Sequence, residues 1–229
     1  MEVAPGGVPA LWHLLDAAEQ ARADRFRFAE DRDSYVAAHA LLRTMLSRQA
    51  PVAAPDWRFV AAAGGKPMLE PSHGRPDLTF SLSHTRGIVA CAVGAGCDLG
   101  VDVEHCDRSL PVLELAQRFF APAEAGLIAS LPPAQRDACF YRLWTLKEAY
   151  TKAIGLGIAA TLGAFAFRLE PPPVSITFLA AGADRPDAWH FAEFQPAPWH
   201  RLALAVCGPA ADPQPIDAAA TAANELVWA

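Results

Sequence analysis

Four segments of this 229-residue chain carry side chains whose types and spacing suit work on phosphate. In Leu99-Gly100-Val101-Asp102-Val103-Glu104 the alternation of a strand puts Leu99, Val101 and Val103 on one face and Asp102 and Glu104 on the other. Two carboxylates about 7 Å apart on one strand repel unless a cation or basic group sits between them. Hard oxygen donors in that number suit Mg²⁺ or Mn²⁺, with Gly100 leaving room for a ligand; the other reading is a solvent-exposed strand face ending in a charged turn. Along Phe140–Lys152, Trp144, Glu148 and Lys152 recur every four residues and share one helical stripe, with Lys147 on its flank. That stripe is either a diphosphate and metal platform or an exposed Glu–Lys pair beside a core tryptophan. Ser83, His84 and Arg86 end a strand-like run and can offer neutral and charged donors to a phosphate, or serve structure alone. No nucleophile elbow surrounds Ser83, which argues against a serine hydrolase. The fourth segment, Gly65-Lys66-Pro67, sets a lysine on a rigid turn. Lysine is scarce, three residues against 16 arginines, and two of the three flank Glu148. A compact ammonium and a planar guanidinium are not interchangeable, so this bias fits sites that need a point charge near phosphate oxygens, although ordinary helix-surface usage also produces it.

The elements that must position these groups follow from periodicity and punctuation. Apolar spacing predicts helices over 9–29 and 31–48, ended by Pro51 and Pro55. A short strand is expected at 57–60, a turn at Gly64–Pro67 and a strand at 79–82. Gly87–Val93 and Asp98–Glu104 read as a hairpin across Gly94–Cys97. The glycines at 94, 96 and 100 miss the G-x-G-x-x-G spacing and lie between two strands rather than before a helix, so a dinucleotide fingerprint is rejected. Helices are expected near 110–120, 122–130 and 134–154, the last stopped by Gly155 and Gly157. Strands follow at 164–169, 174–179, 189–194 and 201–206. The chain thus reads as α+β, two halves that each run helix first and then a small antiparallel sheet. Residues 1–106 form the N-terminal half, 107–208 the C-terminal half, and 209–229 a loosely attached tail.

Composition narrows the class of protein. Apolar residues make up 52% and charged residues 19%, enough for a sizeable core and too little charge for a disordered chain. No stretch reaches the roughly 20 apolar residues of a membrane helix, and the N-terminus has no secretory pattern. With 25 acidic against 19 basic residues the formal net charge is −6, against a nucleic-acid binder. Five irregularly spaced cysteines suggest neither a disulfide framework nor a zinc site. A cytoplasmic protein that binds neither membrane nor nucleic acid is expected.

Taken together, the four segments resemble the 4'-phosphopantetheinyl transferases of the long, surfactin-synthetase-activating type. Their G-x-D-x-E stands as Gly100–Glu104, their W-x-x-K-E-[AS]-x-x-K as Trp144–Lys152, their G-K-P as Gly65–Pro67 and their S-H as Ser83-His84. The likeness runs from about residue 20 to 207; Ser81 and Thr85 depart from the usual neighbours of the S-H pair, and Glu19 stands where some relatives carry a basic residue. The resemblance implies two similar α/β halves in pseudo-twofold relation, each a small antiparallel sheet packed with helices, working as a monomer. It implies transfer of the phosphopantetheine arm of coenzyme A to a serine of an apo acyl or peptidyl carrier protein, releasing 3',5'-ADP. By family position Asp102, Glu104 and Glu148 would hold Mg²⁺ or Mn²⁺, through which the diphosphate of coenzyme A is clamped, so that Asp102 counts as a coenzyme A-binding as well as a metal-binding residue. Glu148 would take the serine proton, directly or through a water, Lys152 would steady the leaving group, and Lys147 and Lys66 would add positive charge. Arg22, Arg43, Ser83 and His84 would hold the adenosine 3'-phosphate end, and a patch at Phe119 and Phe120 would receive the carrier. Rival readings are a Mg²⁺-dependent hydrolase of coenzyme A or nucleotide diphosphates, and a catalytically dead scaffold.

Overall fold

The structure, a computed structural model, describes residues 8–62, 65–107, 109–156, 162–179 and 185–208; Gly64, Gly157 and the tail from residue 209, on which readings above fall, lie outside the described residues. The chain is α+β and divides into two compact units, the first ending at Gly96 and the second beginning at Cys97. The division therefore precedes the one expected after residue 106. The strand bearing Asp102 and Glu104 opens the second unit rather than closing the first.

In the first unit the expected helix over 9–29 is broken. Val8–Leu14 winds as a 3₁₀ helix, and Asp16 then caps α1 (Ala17–Ala23). The Asp16 side chain accepts from the Glu19 N–H at 2.9 Å while Glu19 accepts from the Asp16 N–H at 3.2 Å, a reciprocal box that forces a fresh helix start. The long α2 (Ala29–Gln49) buries Ala37, Ala38, Leu41, Leu42, Met45 and Leu46 in one core with Trp57, Leu69, Leu78, Phe80, Val89 and Cys91. Two antiparallel hairpins supply that side of the core: β1 (Phe59–Ala61) with β2 (Pro67–Leu69), and β3 (Leu78–Thr85) with β4 (Ile88–Ala95).

The second unit runs β5 (Asp98–His105), α3 (Val112–Phe119), α4 (Pro122–Ser130), α5 (Pro133–Ile154), β6 (Phe165–Arg168), β7 (Ser175–Phe178), β8 (Trp189–Phe194) and β9 (His200–Cys207). Its sheet is antiparallel in the order β5-β9-β8, and β6 pairs with β7 as a separate hairpin. The expected hairpin between residues 87–93 and 98–104 does not form: β4 pairs with β3, and β5 finds β9. Nearness in sequence favoured the wrong partner because both pairings preserve the alternation.

Helix α5 is the spine of this unit. Proline at its first position and Gly155 in left-handed conformation (φ 72°) just beyond its end mark its limits. It lies on a sheet surface made of small residues: Gly100 and Ala205 pair across β5 and β9, as do Asp102 and Ala203. Gly100 has a different task from the one the spacing suggests. A Cβ there would overlap the Ala149 carbonyl oxygen and lie 2.5 Å from the Ala153 nitrogen, so glycine lets helix and strand backbones touch. Phe120, which the resemblance places on a patch that would receive the carrier, is buried and stacks on Phe140 at 5.2 Å, while half-buried Phe119 meets the edge of Trp144. These rings belong to the core of the second unit.

Candidate active site on strand β5 and helix α5

The close approach at Gly100 fixes what the next residues on that face of β5 must meet. Asp102 is buried, 4% exposed, not the solvent-facing carboxylate that strand alternation alone allows. Its Oδ1 accepts from Lys152 Nζ at 2.7 Å, linking β5 to the last turn of α5. One turn earlier on the helix, Glu148 is 3% exposed, and its Oε1 accepts no hydrogen bond. Burial foremost, then the negative charges of Asp102 and Glu104, push the Glu148 carboxyl up to about 7, with the Lys152 charge opposing them. Half-buried Glu104 stands two residues beyond Asp102, opposite Arg201 of β9. Three carboxylates and one ammonium thus share a single helix–strand seam. Among the described residues no three His, Cys, Asp or Glu side chains converge on a metal-holding point as they stand, and the cation on Asp102 is the lysine.

Residues 98–207 match the family described as the 4'-phosphopantetheinyl transferase superfamily, and residues 8–95 match a 4'-phosphopantetheinyl transferase N-terminal family. The chain is 35% identical over 195 residues to the 4'-phosphopantetheinyl transferase HetI of a Nostoc species, covering 85% of this chain and 79% of that protein. The chain belongs to the 4'-phosphopantetheinyl transferase superfamily. A second relative is the 4'-phosphopantetheinyl transferase Sfp of Bacillus subtilis, 32% identical over 64% of this chain and 62% of that protein. A human relative, L-aminoadipate-semialdehyde dehydrogenase-phosphopantetheinyl transferase, is 28% identical over 83% of this chain and 66% of that protein.

Against the family pattern, two expected ligand groups turn out to be occupied within the fold. Lys147 does not face the Asp102 seam. It is fully buried, with Nζ 2.7 Å from Glu124 Oε2, 2.7 Å from the Leu162 carbonyl and 2.8 Å from that of Phe165. All three ammonium hydrogens are spent there, between the rings of Phe120 and Phe165, so none remains for a phosphate. Burial drives Lys147 down and Glu124 up, each opposed by the other's charge. Arg43 is likewise fully buried in the first unit. Its guanidinium donates to Glu19 Oε2 at 2.7 Å, Asp16 Oδ2 at 2.8 Å and the carbonyls of Ala54 and Trp57. It ties α2 to α1 and to the chain before β1. Glu19 gains His39 as a further partner at 2.7 Å. Burial acts to raise the Glu19 carboxyl, yet His39 and Arg43 outweigh it and hold the group below its ordinary value.

The other expected positions of the first unit differ in accessibility. Arg22 is exposed on α1, its guanidinium 5.5 Å from the centre of the Tyr35 ring. Half-buried Lys66 sits in the β1–β2 turn, closed by a bond from the Ala62 N–H to its carbonyl. Ser83 and His84 end β3 on opposite faces, Ser83 buried and His84 exposed, so the strand alone does not aim both at one phosphate. The group that sequence reasoning missed is Glu124. Its signal was its place three residues into a helix begun by Pro122, from which it reaches back to the Ala121 N–H at 3.1 Å.

Proposed function

We propose that this protein transfers 4'-phosphopantetheine from coenzyme A to a serine of an apo acyl or peptidyl carrier protein and releases 3',5'-ADP. The observation that carries the reading is Glu148: a buried carboxylate with an oxygen that accepts no hydrogen bond, raised to about 7 beside the Asp102–Lys152 pair. A carboxyl tuned near neutrality is ionised in a substantial share of molecules at neutral pH and is more basic than an ordinary glutamate, which suits it to take the proton of an attacking serine hydroxyl. Lys152 carries its charge on a flexible stem and can offset negative charge growing on the departing 3',5'-ADP phosphate. Asp102 holds that ammonium in place from the strand side.

The donor set of Asp102, Glu104 and Glu148 fits a hard divalent cation, Mg²⁺ or Mn²⁺, in its chemistry: all are oxygen donors, Asp102 and Glu104 lie close enough for their charge to raise the Glu148 carboxyl, and Glu148 Oε1 accepts no hydrogen bond, although the three do not converge on one point as they stand. When bound, such an ion supplies positive charge to the diphosphate oxygens. In the same reading Arg22, Ser83 and His84 receive the adenosine 3'-phosphate end of coenzyme A, and Lys66 adds positive charge. Arg43 and Lys147 drop out, since their donors are already engaged. The enzyme would work as a cytoplasmic monomer; among the described residues no helix is long and apolar enough to cross a membrane.

Intact-mass spectrometry of apo-carriers incubated with the protein, coenzyme A and Mg²⁺ tests the proposal. A gain of one phosphopantetheine per carrier, lost in Glu148→Gln and in EDTA, is expected. Consumption of coenzyme A with no carrier present would favour the hydrolase instead.

A further inference from the structure

We infer that the buried Glu124–Lys147 pair is a positioning device that fixes the rotation of α5, and so aims Glu148 and Lys152 at Asp102. The inference rests on the proposed transfer reaction for its kinetic consequence only; the geometry stands by itself.

Helix α5 has buried side chains around most of its circumference, including Leu143, Thr145, Leu146, Lys147, Glu148, Ala149, Tyr150 and Thr151. Burial is non-directional, so a helix that is covered on nearly every side takes little guidance from it about rotation around its own axis. A directional contact must supply that guidance. Lys147 precedes Glu148 by one residue, so the two side chains leave the helix about 100° apart. Anchoring the first therefore sets the azimuth of the second.

The anchor is built for that purpose from several sides. Lys147 Nζ meets Glu124 Oε2 from α4 and two carbonyls, Leu162 and Phe165, at the entry to β6. Glu124 is held in turn, by the Ala121 N–H at 3.1 Å and by the Phe167 N–H of β6 at 2.8 Å. A buried ion pair is often replaceable by apolar residues without loss of stability, and its best-attested use is to set register. A rotation of α5 by 20° would carry a group on its rim about 2 Å, given a helix radius of about 5–6 Å with side chains. A displacement of 1 Å at a reacting group can lower a rate about a hundredfold.

The decisive variant is Glu124→Gln/Lys147→Met. It removes both charges together and keeps an acceptor for the Phe167 N–H. With coenzyme A and an apo-carrier, kcat should fall about a hundredfold while KM for coenzyme A changes less than about threefold. The second readout does not depend on transfer. Lysine labelled with ¹⁵N gives ammonium signals from only three residues, and the double variant deletes one of them. The Lys152 signal should move toward that seen in Asp102→Asn, where its partner carboxylate is gone. A folded double variant with wild-type kcat and an unmoved Lys152 signal overturns the inference and leaves the pair a contributor to stability alone. Should the wild-type protein transfer nothing, the reading of its function fails, and the Lys152 signal still decides this one. Should the double variant not fold, Glu124→Asp keeps the charge and shortens the anchor by one methylene, and the same two readouts apply.

Discussion

Glu148 is held against both its burial and its neighbours, so removing its charge should make the protein more stable while ending its activity. Burial, Asp102 and Glu104 lift its carboxyl from 4.5 to about 7. That span corresponds to about 3 kcal/mol of preference for the protonated form. The sign follows directly. The folded value lies above the unfolded one, so the stability that protonated Glu148 contributes is complete below about pH 4.5 and is lost as pH rises through about 7. Glutamine copies the protonated shape at every pH. In metal-free buffer with EDTA, Glu148→Gln should match wild type near pH 4.5 and exceed it by about 3 kcal/mol at pH 8, several degrees in Tm for a unit of this size. Urea unfolding of both proteins across pH 4.5 to 8.5, with carrier-mass assays on the same samples, makes the comparison. A variant no more stable than wild type at pH 8 would show that Glu148 is not held under strain, and the case for it as the base would lose its physical ground.

Gly100→Ala must push the backbone of α5 away from β5, and a loss of about 1–3 kcal/mol is expected; a wild-type melting curve would contradict the close approach. Arg43→Met strands the Glu19 and Asp16 carboxylates in the first unit and should lower stability by about 3–5 kcal/mol in urea unfolding. A change in KM for coenzyme A with no change in stability would return Arg43 to the ligand. His84 is exposed, so His84→Ala should leave stability within about 0.5 kcal/mol. It should raise KM for coenzyme A about ten- to a hundredfold and matter much less with 3'-dephospho-coenzyme A; equal damage with both substrates rules out the 3'-phosphate role.

What the sequence disclosed about this molecule depended on how local the cause was. Helices α4 and α5 could be bounded to within a residue or so because Pro122, Pro133 and Gly155 act on the turns beside them. The break before α1 was harder, since it depends on a reciprocal bond between Asp16 and Glu19 rather than on apolar spacing. Partners distant in sequence were not legible: β5 alternates equally well beside β4 or β9, and only the folded sheet decides. The seam itself could be anticipated in part, because Glu148 and Lys152 lie one turn apart and Asp102 belongs to a recognisable strand motif. Burial could not. Arg43 and Lys147 have the charge a phosphate wants, and nothing in their neighbours along the chain reveals that Glu19 and Glu124 already claim them. Gly100 signalled a close approach correctly, but the approaching body is a helix.

The pairing of β5 with β9 also has a bearing on how the protein is made. About a hundred residues separate these strands, and at a typical synthesis rate of about 5–20 residues per second β5 leaves the ribosome about 5–20 seconds ahead of its partner. Through that interval Leu99, Val101 and Val103 travel on a strand with no sheet to join. A nascent chain arrested before His200 would possess both acids of β5 and the whole of α5, yet lack the strand that pairs with β5. The first unit needs no such wait, since its hairpins close locally. Slow or interrupted translation would therefore yield an N-terminal unit attached to an aggregation-prone remainder, making β9 a checkpoint on every molecule produced.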